Sequence, residues 1–353
     1  TTPCVELIFG EARFVGPRAV TVNGRTMEGA TVFINTGGRP AAPDVEGLDR
    51  LPTLDSTSIM ELAETPEHLL VLGGGYIGIE FAQMFRRFGS RVTVVQRGRQ
   101  LLPLEDEDIA QAVLGVLKED GVEVLLESQA RRAEAADGGI RLTLTTPTGE
   151  RAVQGSHVLL AAGRVPNTDR LGLDQAGIAT DGKGFIQVNA RLETSAQAVY
   201  ALGDVKGGPA FTHISYDDYR ILRANLLQGG NATTDGRLVP YTVFMDPQLG
   251  RVGLNERDAT KQGRRYRVAT MPMSRVARAL EMDESRGLMK VLVDPDTRAI
   301  LGVSVLGIEG GELMAMLQLA IMGNVPYDRI RDAVFAHPTL AESLNNLFST
   351  LDA

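Results

Sequence analysis

Cys4 is the only thiol in a chain of 353 residues, and one thiol excludes an intrachain disulfide, a C-x-x-C redox pair and a cysteine-ligated zinc site. Cys4 itself reads as an ordinary small residue near a chain end. Long apolar runs are missing as well, since no stretch approaches the ~20 residues of a membrane-spanning helix. Thr1-Thr2-Pro3-Cys4 lacks the charged and apolar regions of a signal peptide, so a cytoplasmic location is expected. The net charge of −8 is spread along the chain without a basic block, which recommends neither nucleic acid nor an anionic membrane as partner. There is no internal repeat and no low-complexity segment.

What is present is the composition of a soluble globular protein, 43% hydrophobic and 23% charged, in a chain long enough for two or three domains. Its organising stretch is Leu69-Leu70-Val71-Leu72-Gly73-Gly74-Gly75-Tyr76-Ile77-Gly78-Ile79-Glu80. Four apolar residues read as a short buried strand, and apolar residues at Ile77, Phe81, Phe85 and Phe88 have the one-sided spacing of a helix. Between them, Gly73 permits a tight turn, Gly75 lets backbone approach a pyrophosphate, and Gly78 lets helix and strand pack closely. The helix N-terminus adds free N–H groups and positive dipole. A second strand, Arg91 to Gln96, follows directly after Gly89 and completes the context that dinucleotide binding demands.

Before this unit, residues 4–36 alternate short β-rich runs, Val5 to Phe9, Ala19 to Val22 and Ala30 to Ile34, with a hairpin signal at Asn23-Gly24, and a Pro-, Gly- and Asp-rich passage to Pro52 reads as loop or crossover. Across 66–164 the spacing predicts a second helix over Glu105 to Leu117 and strands at Val122 to Leu126, Ile140 to Thr145, Ala152 to Gly155 and His157 to Ala162, an alternation that implies a doubly wound parallel α/β sheet. Residues 165–238 hold a strand ending Ala201-Leu202-Gly203-Asp204 and a helix over Asp217 to Leu227. In 239–353, strands at Tyr266 to Met271, Leu288 to Val293 and Ile300 to Leu306 give way to helices, the pattern of a separate α+β domain.

Taken in order, Ile34-Asn35-Thr36-Gly37, Gly73 to Glu80, Ala161-Ala162-Gly163-Arg164-Val165-Pro166-Asn167, Ala201 to Asp204 and His337-Pro338-Thr339-Leu340-Ala341-Glu342 resemble the landmarks of the pyridine nucleotide-disulfide oxidoreductases, over essentially the whole chain. Dihydrolipoamide dehydrogenase and mercuric reductase are members of that family. Phe211 to Arg220 and His337 to Phe348 look most like its bacterial reactive-chlorine-resistance copper reductase. The resemblance implies a remnant of an FAD-binding domain in 1–65, an NAD(P)-binding domain in 66–164, a second FAD-binding segment in 165–238 and a dimerisation domain in 239–353. In the family an earlier glycine turn for the ADP half of FAD, and a C-x-x-x-x-C pair, precede these landmarks. Neither occurs among these residues, so the chain is expected to correspond to the family's fold without its N-terminal section.

The same resemblance distributes roles. Gly73, Gly74, Gly75, Tyr76, Ile77 and Gly78 would cradle NAD(P), with Glu80 beside the nicotinamide. Thr36, Gly37, Gly163, Gly203 and Asp204 would approach FAD, Asp204 reaching a ribitol hydroxyl, and Ala210, Phe211, Thr212 and His213 would lie along the flavin. The acid that normally accepts the NAD ribose is replaced by Gln96-Arg97-Gly98-Arg99. Arginines can pair with a 2′-phosphate that a carboxylate would repel, which favours NADPH; NADH stays the alternative because Gln96 can hydrogen-bond a ribose hydroxyl. His337 and Glu342 form a proton-transfer pair in which the carboxylate fixes the imidazole tautomer, with Pro338 expected at the first position of a helix. In the family that pair serves the partner subunit's disulfide. The C-terminal Ser349-Thr350-Leu351-Asp352-Ala353 has no vicinal cysteines, which argues against a true mercuric reductase.

The expected function is therefore transfer of electrons from NADPH through FAD to a disulfide and on to a small-molecule or metal-ion acceptor, in a homodimer with no resident metal. The enzymic alternative is dihydrolipoamide dehydrogenase with NADH, and the non-enzymic one is a flavin-free NAD(P)-binding, dimerising module. The apolar run Leu313 to Met322 is too apolar all round for a helix facing water, which supports the dimer.

Overall fold

The strand His68–Leu72 is buried along its full length, as a strand covered on both faces must be. It is central in a parallel sheet whose order is His157–Leu160, His68–Leu72, Arg91–Val95, Glu123–Leu125. Successive side chains go to opposite faces. Leu69 and Val71 pack with Ile79, Ala82, Ile109, Val113 and Leu117 of the two helices, Tyr76–Arg87 and Glu107–Glu119. Leu70 and Leu72 pack with Leu142, Leu144 and Val153 of an antiparallel sheet formed by Gln129–Ala136, Gly139–Thr146 and Gly149–Gly155.

This computed structural model describes residues 4–352. Thr1, Thr2, Pro3 and Ala353 lie outside the described residues, and with them most of the stretch read for a signal peptide and the last residue of the C-terminal run. Two compact units divide the chain, one made of residues 41–163 and 240–353, the other of residues up to Pro40 and 164–239.

In the larger unit the C-terminal part is a five-stranded antiparallel sheet in the order Tyr241–Val243, Gln248–Gly253, Ile300–Gly307, Leu288–Val293, Arg267–Pro272. The helix Gly310–Met322 lies against it through buried Leu313, Met314, Leu317 and Ala320. In the smaller unit, Val32–Ile34 pairs in parallel with Val199–Ala201, and Gly38–Pro40 pairs antiparallel with Arg164–Pro166. The Asn23-Gly24 hairpin is present, with Val22 opposite Arg25 and both turn residues at positive φ, the backbone that a two-residue turn between twisted strands requires.

Several expected elements are corrected. Val5 to Phe9 is irregular, with Val5, Leu7 and Phe9 exposed; alternation alone does not make a strand without a paired neighbour. The strand Gln129–Ala136 was unforeseen because alanines and charges carry little β signal, and only Ala130 and Ala133 face the core. The helix over Asp217 to Leu227 begins earlier, at Thr212. Pro338 does not open a helix: the last α-helix starts at Ser343, and the residues before it form a side-chain-bonded turn in which Thr339 Oγ1 donates to Ala336 O and accepts from Glu342 N–H. Such local side-chain bonds compete with helix.

Candidate functional site

At the end of His68–Leu72 the chain turns through Gly73 at φ 120°. A Cβ on Gly73 would collide with the Ala161 carbonyl, and one on Gly78 with the Gly73 carbonyl, so these two glycines are demanded by the closeness of helix and strands. Gly75 differs, because nothing lies within 4 Å of where its Cβ would stand. It is the N-cap of Tyr76–Arg87 and supplies no side-chain cap. The N–H groups of a helix's first turn have no intrahelical acceptor by helix geometry, which makes such an N-terminus suited to an anion.

Glu80, half-buried, accepts the Phe244 N–H at 2.8 Å. Burial pushes its carboxyl above the ordinary glutamate range, and the Phe244 bond offsets part of that shift. Both ends of the Gln96 side-chain amide are engaged within the protein: Oε1 accepts the Gly74 N–H at 3.1 Å and Nε2 donates to Gln100 O at 3.0 Å. Arg97 and Arg99 are exposed, with no ion-pair partner among the described residues. Gly163, at φ 129° and open where a Cβ would be, accepts the Ala41 N–H at 2.9 Å.

In the smaller unit Thr36 and Asn167 clasp one another. Thr36 Oγ1 donates to Asn167 O at 3.0 Å, Asn167 Nδ2 donates to Thr36 O at 2.9 Å, and Asn167 N–H donates to Gly37 O at 3.0 Å. Asp204 sits on a 3₁₀ turn, Gly203–Lys206, with a carboxylate oxygen 3.6 Å from Arg164 Nη2. Gly203 is at φ 70°, and a Cβ there would meet Asn35 Oδ1 and Ser215 Oγ at 2.7 Å. The turn is held from below by Asp218, fully buried, which accepts the Gly203 N–H at 2.9 Å and pairs with Lys206 at 3.2 Å and Arg237 at 2.7 Å. Ala210 precedes Phe211, the N-cap of the helix that starts at Thr212, and the Phe211 and His213 rings stack with centroids 5.2 Å apart.

His337 Nδ1 lies 2.9 Å and 3.0 Å from the two Glu342 oxygens. The imidazole is 72% exposed while the carboxylate is 22% exposed, so the acid is fixed and the base is presented outward. With Nδ1 held, Nε2 is the nitrogen left to exchange protons.

Buried charges are what sequence reasoning missed. Lys290 Nζ lies 3.0 Å from Asp106, 2.8 Å from Asp108 and 2.5 Å from Glu256, so an ammonium already fills the one place where carboxylates gather closely enough for a cation among the described residues. Burial alone would lower the Lys290 pKa, but hydrogen bonds to Asp108, Glu256 and Asp106 outweigh it and hold the amine above its ordinary range. Glu105 is buried beside Arg251 at 3.4 Å and hydrogen-bonded by Tyr241; burial raises its pKa against both partners. A lysine inside the apolar run Leu288 to Val293 is a signal that could have pointed to the first of them.

A glycine-turn nucleotide fold joined to a five-stranded antiparallel domain defines a class of redox proteins, and the family profiles agree. The pyridine nucleotide-disulphide oxidoreductase profile matches residues 1–218, and the dimerisation domain of the same family matches 239–348. The chain belongs to the pyridine nucleotide-disulphide oxidoreductase family. It is 39% identical to the probable pyridine nucleotide-disulfide oxidoreductase RclA of Escherichia coli (strain K12), over 98% of this chain and 79% of RclA. The solved structure of RclA as a Cu(II) complex, described as an HOCl-induced flavoprotein disulfide reductase, superposes with a TM-score of 0.92, covering 98% of this chain and 80% of that one. Mercuric reductase of Streptomyces lividans is 35% identical over 96% of this chain and 72% of its own length. Dihydrolipoyl dehydrogenase of Thermus scotoductus is 37% identical over 96% and 74%. Among the described residues no helix is long and apolar enough to cross a membrane.

Proposed function

We propose that this chain forms the nucleotide-binding and dimerising part of a flavin-dependent oxidoreductase that draws electrons from NADPH and delivers them, through FAD and a disulfide, to a metal ion or a small disulfide. The single observation that carries the reading is the glycine turn: Gly73 and Gly78 leave no room for a side chain, while Gly75 opens onto an uncapped helix N-terminus. Residues 66–164 would be the nucleotide domain, 1–65 and 165–238 the FAD segments, and 239–353 the dimer-forming domain.

The residues present suit both cofactors. First-turn N–H groups would hold the pyrophosphate, and Arg97 and Arg99 the 2′-phosphate. Glu80, fixed by Phe244 N–H, would orient the nicotinamide. On the flavin side, Asp204 would accept a ribitol hydroxyl, and Arg164 Nε, buried without a hydrogen-bond partner, offers a donor nearby. FAD held there would supply a two-electron carrier between the nicotinamide and the disulfide. His337, held by Glu342, would deliver or remove the proton at the thiolate sulfur of a partner subunit. Copper is a reasonable acceptor to test first, given the Cu(II) complex of RclA.

The test is NADPH oxidation with added FAD and disulfide, Cu(II) and Hg(II) acceptors, by the chain alone and by the chain fused to the redox-cysteine segment of a relative. Nucleotide binding by both, with acceptor-dependent turnover in the fused chain, supports the reading. A chain that binds neither NADPH nor NADH would overturn it.

A further inference from the structure

The loop that carries the two arginines is tied to the phosphate-binding turn itself. Gly74, in the middle of that turn, has both backbone groups taken by the loop 96–102: its N–H donates to Gln96 Oε1 at 3.1 Å and its carbonyl accepts the Leu102 N–H at 2.8 Å. Gln96 Nε2 donates to Gln100 O at 3.0 Å, so both ends of the amide are engaged within the protein. Packing closes the same joint, because a Cβ on Gly74 would come within 2.6 Å of Leu101 Cδ2 and 3.2 Å of Gln96 Cβ. Leu102 adopts a left-handed backbone at φ 45° while buried, a conformation held where the surroundings over-determine it. On its far side the loop is pinned to the neighbouring strand: Gln96 N–H donates to Leu125 O at 2.9 Å, and Gln96 O and Gly98 O accept from Ser128 and Glu127, each at 3.0 Å. Arg97 and Arg99 project from between these fixings.

We propose that Gln96 is a positioning residue, which latches the arginine-bearing loop to the glycine turn so that the two bind nucleotide as one rigid body, and that it does not itself read the ribose. The part given to Arg97 and Arg99 rests on the NADPH reading above; the latch rests on the bonds to Gly74. Only an amide fills this place fully, since it can accept from Gly74 and donate to Gln100 at once, whereas a carboxylate can only accept.

The experiment titrates the chain calorimetrically with NADPH and with NADH, for the wild type, Gln96→Ala, Gln96→Glu and Arg97→Ala, and follows amide hydrogen exchange at Gly74. Loss of one such bond corresponds to about fivefold in affinity. Gln96→Ala is expected to weaken NADPH and NADH by the same factor, about fivefold, and to speed exchange at Gly74 while the His68–Leu72 strand keeps its protection. Gln96→Glu, which keeps the acceptor, is expected to restore protection at Gly74. A loss confined to NADH with NADPH spared would mean that Gln96 reads the ribose and would overturn the proposal, as would unchanged exchange at Gly74 in Gln96→Ala. Should the wild type show no preference between the nucleotides, the NADPH reading fails, yet an equal loss in Gln96→Ala would still support the latch.

Discussion

Lys290 Nζ and Asp106 Oδ2 stand 3.0 Å apart with both side chains nearly inaccessible, at 2% and 8%. Asp108 and Glu256 complete the shell around the ammonium. A buried ion pair is worth little against a well-packed apolar replacement of the whole set, but removing one partner strands the others. Lys290→Met should therefore cost about 3–5 kcal/mol, read as a lowered denaturant midpoint. A loss below ~1 kcal/mol, the scale of an exposed pair, would show that water already screens the carboxylates. Because the folded-state pKa of Lys290 is raised, its contribution is complete below the unfolded lysine value of about 10.4 and fades only as pH climbs beyond that.

Glu80 has the same sign of linkage, but the protonated form that folding favours is here the neutral one. Its carboxyl is pushed up by burial, so folding favours the protonated form. That stability is present below the unfolded glutamate value of about 4.3 and is lost as pH rises through the folded value. Glu80→Gln, which cannot ionise, should lose less stability than the wild type between about pH 4 and pH 7. Urea titrations at the two pH values check this, and parallel losses in both proteins would show that Glu80 is as well solvated as a free side chain.

Arg97→Ala should weaken NADPH binding about fivefold or more, the equivalent of ~1–3 kcal/mol for a lost charge-assisted contact, and leave NADH nearly unchanged. Titration of both nucleotides suffices. Equal losses would remove Arg97 from 2′-phosphate recognition and return NADH as an equal candidate.

The helix Gly310–Met322 buries Leu313, Met314, Leu317 and Ala320 and leaves Met316, Leu319 and Met322 exposed. Those three sit at i, i+3 and i+6, one stripe of the helix, on a chain whose C-terminal segment matches a dimerisation domain. A homodimer is expected at micromolar concentration, and Leu319→Asp should convert it to monomer without loss of nucleotide binding. Light scattering decides; a wild type that is monomeric under these conditions removes the dimer from the proposal.

Local stereochemistry was legible in the residues themselves. A strand of consecutive aliphatics, a turn in which Gly73 and Gly78 cannot carry a Cβ and an amphipathic helix after it are all written within twenty positions, because the periods of strand and helix and the freedom of glycine are properties of the chain nearby. The hairpin at Asn23-Gly24 was legible for the same reason, and so was the pairing of His337 with Glu342 over five residues. Tertiary structure decided where polar side chains point and what they meet. Gln96 has the chemistry to hold a ribose hydroxyl, and folding brings the Gly74 N–H to its Oε1. Nothing local marks Asp106, Asp108 and Glu256 as partners of Lys290, whose bond to Asp108 spans 182 positions, nor marks Asp218 as the support beneath Gly203. Charges become costly only once water is excluded, and which ones lose it depends on how distant segments pack, so their partners are settled by the fold and not by the neighbouring sequence.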